Sequence, residues 1–311
     1  MPVGLKSTEQ VLADAFAALG CERWGGPSIE GWSKASDYLR CPYRFYLKHV
    51  RRVWPTIVGT ASSPSRDIGS FVHAALAAHY AARLPVPFIG DDGNLYCYPG
   101  WREMVPTPEQ LFEALRNAGA EVGALYEAEH VWSGYIERWG LDDWQPLAVE
   151  MAVGDSKLHT SRYDLVVYIE DGIHDGVWIG EHKTASSSTD LEQWTIDGEI
   201  LGEMLSWHLS KLDRMFGEPL RGVCINVLLK KRIIDNSCYR RIWIPVDWNL
   251  VDDFEKHRTH YREMEKFHYR VGYWPKSHYG CYARNFDRCI YWDHCCTLSE
   301  SCLTSIEGQL K

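Results

Sequence analysis

The order of periodic segments predicts an α/β (or α+β) fold, with a mixed central sheet flanked by helices. Three observations carry that prediction. Helical stretches come first, then three strands, a helix, two strands and a last helix, an order that sets helices around a sheet. Strand-like runs at 162–169 and 177–183 are joined by a link with Asp171-Gly172 and Asp175-Gly176, the turn-formers of a hairpin. Hydrophobic residues make up 45% and aromatics 13% of 311 positions, enough apolar surface for one elaborated domain and too much for a disordered chain.

Each element has its own warrant. Glu9 to Leu19 reads as a short helix, followed by the connector Gly25-Gly26-Pro27. Ser33 to Leu39 reads as a second helix, with Ser33 or Ser36 as its N-cap, running into the aromatic turn Cys41 to Lys48. Asp67 to Arg83 carries the apolar stripe Ile68, Phe71, Val72, Ala75 and Leu76 at helical spacing. Residues 84–108 are rich in proline and glycine and read as a long surface loop. Thr107 to Trp139 is helical, with breaks expected near Gly119 and Gly123. Leu147 to Val153 and the hairpin supply three strands, and Leu191 to Phe216 a helix buried through Trp194, Ile200, Leu201, Met204, Leu205 and Leu209. Val223 to Leu229 and Tyr239 to Val246 are two more strands, Val251 to Val271 is a charged helix, and the tail from Trp274 is irregular.

Charge narrows the function. A formal net charge of −9 provides no global basic field, which weakens a reading as a nucleic-acid coating or packaging protein. It leaves room for an enzyme with a local basic groove, for which Lys48-His-Val-Arg51-Arg52 and Lys230-Lys231-Arg232 are the candidates. Taken singly, each run reads as a solvated patch. No apolar run is long enough for a membrane span and the N-terminus lacks a signal-peptide core, so a soluble cytoplasmic protein is expected. In that compartment the ten cysteines are expected to bind metal or to be buried thiols.

The candidate chemistry lies in the hairpin. Folding it brings Asp164 level with residues 181–183, and Glu181 and Lys183, two apart, share a face while His182 points away. Two carboxylates and an ammonium on one spot suit divalent-metal hydrolysis, with Mg²⁺ or Mn²⁺ held by the acids and Lys183 acting on water or phosphate. His73, in the helix before the sheet, would add an imidazole to that hard ligand set. The bland alternative is a salt-bridged surface hairpin. A second constellation joins Cys41 to Cys281, Cys289 and Cys295, with Cys296 competing for the last place and Cys302 in reserve. Four thiolates take either zinc or an iron–sulfur cluster. Cys21, Cys97, Cys224 and Cys238 read as ordinary buried residues.

The run Asp164 … Glu181-His182-Lys183-Thr184 resembles the signature of the PD-(D/E)XK nuclease superfamily, and Gly69 with His73 resembles the upstream helix of its RecB-type branch. Its fold would be restriction-endonuclease-like. The resemblance implies that His73, Asp164 and Glu181, with the His182 backbone carbonyl, bind Mg²⁺ or Mn²⁺, and that Lys183 is the catalytic lysine. Glu150 matches an acid frequent on the preceding strand. A glutamine-then-tyrosine motif on the next helix has two registers here, Gln193 with Asp197 four residues on, or Glu199 followed by Gly202. One early cysteine in the context Cys41-Pro42-Tyr43-Arg44-Phe45-Tyr46 plus three late ones is similar to the 4Fe–4S staple of RecB/AddB-type, phage-encoded and CRISPR-associated exonucleases, with zinc as the alternative. That would tie the N- and C-terminal segments together. On this reading 1–30 is an extension, 31–300 the nuclease domain and 301–311 a tail. The implied activity is an exonuclease on single-stranded DNA ends in recombination, repair or end processing, with recombination or CRISPR-type protein partners. The competing readings are a non-catalytic nucleic-acid-binding or assembly module, and an RNA-directed or zinc-stapled nuclease.

Overall fold

Chain order runs from helices into a sheet in the computed structural model, which describes residues 6–20, 28, 30–55, 64–84, 88–89, 95–96, 105–140, 142–186, 197–231, 235–277, 289–297 and 303–305. Helix α1 (Thr8–Ala18) is capped by Ser7, whose hydroxyl accepts from the Gln10 amide at 3.2 Å. It buries Val11, Leu12, Ala15 and Phe16 in the same core as the sheet. Helix α2 (Trp32–Arg40) starts one residue earlier than expected. Its N-cap is Gly31, not Ser33 or Ser36, because Trp32 is drawn inward against Phe254, with ring centroids 5.9 Å apart. The aromatic turn becomes α3 (Pro42–Phe45) and a π-helical turn over Tyr46–Val50, closed by Arg51 N donating to Tyr46 O at 2.8 Å.

Strand β1 (Val53–Pro55) precedes α4 (Pro64–Ala81), whose predicted stripe Ile68, Phe71, Val72, Ala75 and Leu76 is buried throughout. Two short strands, β2 (Phe88–Ile89) and β3 (Leu95–Tyr96), pair within the segment expected to be loop. Helix α5 (Pro108–Ala118) opens on a capping box between Thr107 and Gln110. It ends at Gly119, whose φ of +93° is the left-handed conformation that glycine adopts without a steric cost. Helix α6 (Val122–Trp139) follows. The second expected break, Gly123, instead lies in its first turn and donates to the Glu121 carboxylate at 2.9 Å.

The sheet comprises β4 (Gln145–Asp155), β5 (His159–Ile169), β6 (Gly176–Ala185), β7 (Leu220–Leu229) and β8 (Tyr239–Pro245) in sequential order. Only β6 and β7 run parallel. A parallel pair needs a crossover, and α7 (Gly198–Leu209) and α8 (Leu212–Phe216) lie within it. The expected single helix is split between them because Lys211 takes φ +54°. Asp197 caps α7, and Ile200, Met204 and Leu205 are buried while Leu201 and Leu209 are partly so; Trp194 lies outside the described residues. The near-continuous burial of β7 is that of a central strand covered on both faces.

Helix α9 (Trp248–Val271) leads to a tail that is less irregular than expected. It holds α10 (Trp292–Thr297) and β9 (Leu303–Ser305), which pairs antiparallel with β1. Such pairing across the length of the chain leaves no local periodicity to read. Tyr291 adds to the closure, donating to Val53 O at 2.8 Å. Among the described residues no helix is long and apolar enough to cross a membrane.

Candidate active site

The register of the hairpin sets the site. Leu165 pairs with Gly180, which brings Asp164 level with Glu181, and Asp164 Oδ2 accepts the His182 amide at 2.8 Å. On the shared face of β6, Lys183 Nζ lies 2.5 Å from Glu181 Oε1 and 2.9 Å from Glu199 Oε2 on α7. Helix α4 brings His73 Nδ1 to 3.4 Å from Asp164 Oδ2. One turn earlier, Gly69 explains how α4 comes so close. A Cβ there would stand 2.9 Å from Thr184 Oγ1, so the helix backbone packs directly on β6. Gly69, His73, Asp164, Glu181, Thr184 and Glu199 line a cleft of about 670 Å³ together with Glu150, Glu203, Trp32 and Lys230.

His182 points to the other side of β6, as the alternation requires. It is 2% exposed, with Nδ1 3.0 Å from the Asn226 amide nitrogen, which also donates to the Tyr135 hydroxyl. Burial pushes its imidazole down to about 3, so it is neutral.

Two acids enlarge the expected trio. Glu150 on β4 lies between Val149 and Met151, which pair with Leu165 and Tyr163, and so stands beside Asp164. Its φ of +52° is rare for a residue with a side chain and costs about 1–3 kcal/mol, a strain that occurs most at functional sites. Glu203 was not singled out from the sequence. It lies one turn beyond Glu199 on α7, is 3% exposed, and its Oε2 has no hydrogen-bond partner. The signal that could have found it is an acid four residues after Glu199 within an otherwise apolar helical face. Gln193, the other register of the expected motif, lies outside the described residues.

The electrostatics follow from crowding. Burial and then the Asp164 charge push Glu150 up to about 8 and Glu181 up to about 7, Lys183 opposing the latter. Glu203 is raised well above the usual range by burial, then by Glu181 and Glu199. Burial would also raise Asp164, but the adjoining His73 outweighs it and holds the carboxyl low. For His73 burial works downward, yet Asp164 lifts it to about 9. Lys183 is held well above its ordinary value because Glu181 and Glu199 outweigh its burial.

This donor set fits a hard divalent cation, being carboxylate oxygens with the His73 imidazole beside them and a Glu203 oxygen unpartnered. As placed, the donors engage one another, and among the described residues no three His, Cys, Asp or Glu side chains form a ligand set.

The cysteines fall at the closure of the chain. Cys41 caps α3, and its Sγ accepts from the amides of Arg44 at 3.5 Å and Ser277 at 3.4 Å. The Tyr43 ring stacks on His294 of α10 with centroids 6.1 Å apart, and Tyr43 N donates to Pro275 O. Cys289 is buried, with Cys295 packed on the same small cluster, while Cys296 is exposed. Cys281 and Cys302 lie outside the described residues, as do Cys21 and Cys97; Cys224 and Cys238 are buried.

A sequence model of the PD-(D/E)XK nuclease superfamily matches residues 32–199, a span from α2 to Glu199 that includes His73, Asp164, Glu181 and Lys183. No curated protein matches the chain. The five-strand mixed sheet flanked by helices agrees with the restriction-endonuclease-like fold of that superfamily.

Proposed function

The chain belongs to the PD-(D/E)XK nuclease superfamily, and from that premise we propose that it is a metal-dependent DNA exonuclease acting on single-stranded ends. The supporting observation is the Lys183 ammonium held between Glu181 and Glu199, on the strand face level with Asp164 and His73. His73, Asp164, Glu181 and the His182 carbonyl would hold Mg²⁺ or Mn²⁺. When bound, that ion supplies Lewis acidity toward the scissile phosphate and lowers the pKa of water.

The chain's own groups do the rest. Lys183, cationic and anchored at two points, orients the attacking water and donates to the phosphate oxygen on which charge develops. The His182 amide fixes Asp164 Oδ2, and Gly69 lets α4 bring His73 to the same place. Filling the site displaces a proton from His73, because a ligating imidazole must be neutral.

Cys41, Cys281, Cys289 and Cys295 are proposed to hold a 4Fe–4S cluster, which would serve as a structural clasp. Two amides already donate to the Cys41 sulfur, and the tail carrying Cys289 and Cys295 lies against α3. The corresponding division is 1–30 extension, 31–300 nuclease domain and 301–311 tail. The biological reading is a cytoplasmic enzyme of the RecB/AddB-type branch, akin to phage-encoded and CRISPR-associated exonucleases, in recombination, repair or DNA-end processing.

The test is cleavage by anaerobically purified protein of 5′- and 3′-labelled single- and double-stranded DNA with Mn²⁺, alongside Lys183→Ala. Cleavage that the variant lacks supports the enzyme, and the label patterns give polarity. Binding without cleavage under any divalent ion makes the protein a binding module instead. Broad visible absorption supports iron–sulfur, whereas a colourless protein with stoichiometric zinc overturns it.

A further inference from the structure

Residues 32–52 hold six lysines and arginines and one acid, in a chain whose net charge is −9. The structure gathers two of them, Arg44 and Lys48, at that acid, while Lys34 pairs with Glu30 at 2.7 Å. Asp37, 5% exposed, accepts from Arg44 Nε at 2.8 Å through one oxygen, and from Lys48 Nζ at 2.7 Å and His49 Nε2 at 2.9 Å through the other. One buried carboxylate thus anchors a guanidinium, an ammonium and an imidazole in fixed positions. The π-helical turn over Tyr46–Val50 then delivers Arg51 and Arg52, both exposed, with Arg52 at φ +52°. A π-helical turn and a left-handed arginine are both costly backbone choices, and both occur where this basic stretch meets solvent.

The ridge begins at the cleft, through the N-terminus of α2. Trp32 and Ser33, the first two residues of α2, line the cleft beside Glu199, and the Trp32 ring packs over Gly198 at the start of α7. From there α2 extends about 13 Å at 1.5 Å per residue before the chain turns into α3 and the π-helical turn. A polyanion whose end lies in the cleft can therefore continue along cations that the Asp37 network has pre-positioned.

We propose that the α2–α3–π-helical ridge, through Arg44, Lys48, Arg51 and Arg52, binds the phosphate backbone of single-stranded DNA beyond the scissile end. The assignment rests on the nuclease reading for its occupant. Its support is charge complementarity, the preorganised cations and the junction with the cleft. Backbone contacts of this kind release counterions, so they add affinity without sequence preference and weaken with salt.

The experiment measures binding of a long labelled single strand by fluorescence anisotropy across a salt series, with EDTA present to prevent cleavage. It compares wild type with the double variant Arg51→Gln, Arg52→Gln and the conservative double variant Arg51→Lys, Arg52→Lys. Cleavage of a very short strand, which the cleft alone accommodates, is followed with Mn²⁺, and each variant's Tm is recorded. The glutamine variant is expected to bind about tenfold more weakly, with a log–log salt slope reduced by about 1.4 at about 0.7 per single-strand contact. The lysine variant should restore both, and short-strand cleavage should be unchanged. Affinity and slope equal to wild type in the glutamine variant overturn the ridge while the nuclease reading stands. A wild type that cuts neither strand overturns the nuclease reading, and the ridge is then decided by the binding slope alone.

Discussion

The cleft and the α2 ridge are opposite solutions to one electrostatic problem. In the cleft, Glu150, Asp164, Glu181, Glu199 and Glu203 crowd together, with the Lys183 ammonium held by Glu181 and Glu199 and the His73 imidazole beside Asp164. On the ridge, a single carboxylate, Asp37, is surrounded by Arg44, Lys48 and His49. The minority charge in each place is the anchor, and the majority charge is the surplus. What differs is the sign of the ligand each surplus calls for, a small cation in the first and an extended polyanion in the second. Asp37 also shows what full pairing achieves. Burial works to raise its carboxyl, yet His49, Lys48 and Arg44 hold it far below the usual carboxylate range, whereas Glu181 and Glu150 remain raised.

Neutralising an acid should therefore act oppositely in the two regions. The largest effect belongs to Glu181→Gln, expected to lower the cleavage rate by about 10³-fold while Tm does not fall, measured by end-labelled assays and thermal melting. A parallel loss of folding would break the contrast. Next is Asp37→Ala, which takes the buried carboxylate away from half-buried Arg44, Lys48 and His49 and should cost about 2 kcal/mol in denaturant unfolding. An unchanged midpoint would show that the ridge cations do not depend on their anchor.

Titration separates the regions more gently. Glu150, Glu181 and His73 all carry folded values above their ordinary ones, so the native state binds more protons than the unfolded chain. Their contribution is complete below about pH 4.5 for the glutamates and about 6.5 for His73, and is lost as pH rises through about 7, 8 and 9. In EDTA, Tm is expected to fall by several degrees between pH 6 and pH 9, and Mn²⁺ should recover the loss at the upper end. Melting that is flat with pH, or insensitive to Mn²⁺, would remove the argument that burial and mutual repulsion hold protons on the cleft carboxyls. The smallest effect is Glu203→Gln, expected to raise Tm by a few degrees in EDTA because it removes the cost of holding a buried, incompletely partnered carboxyl in its protonated form.

Much of this architecture was legible beforehand. The stripe of α4, the hairpin and the strand order rest on local periodicity and turn chemistry, which nearby residues encode. The proximity of Asp164, Glu181 and Lys183 follows from strand alternation plus a turn, and His73 from its place in a helix that packs on the sheet. The rest depended on distant partners. The N-terminus of α2 moved to Gly31 because Trp32 found Phe254, and the tail gained β9 because β1 was there to pair with it. Glu203 has no local signature, because an acid in an apolar helix declares itself only when the helix is placed against β6.

By itself the sequence determined the sheet-and-helix plan and the chemistry of the trio, since alternation, capping and turn residues act over a few positions. Only the tertiary structure decided how many acids share the cleft, that Lys183 is held at two points, and that Asp37 gathers Arg44, Lys48 and His49. Electrostatic surplus is a property of charges brought together in space. Residues far apart in the chain acquire it only after the α4, α7 and sheet surfaces have packed and excluded the water that would otherwise screen them.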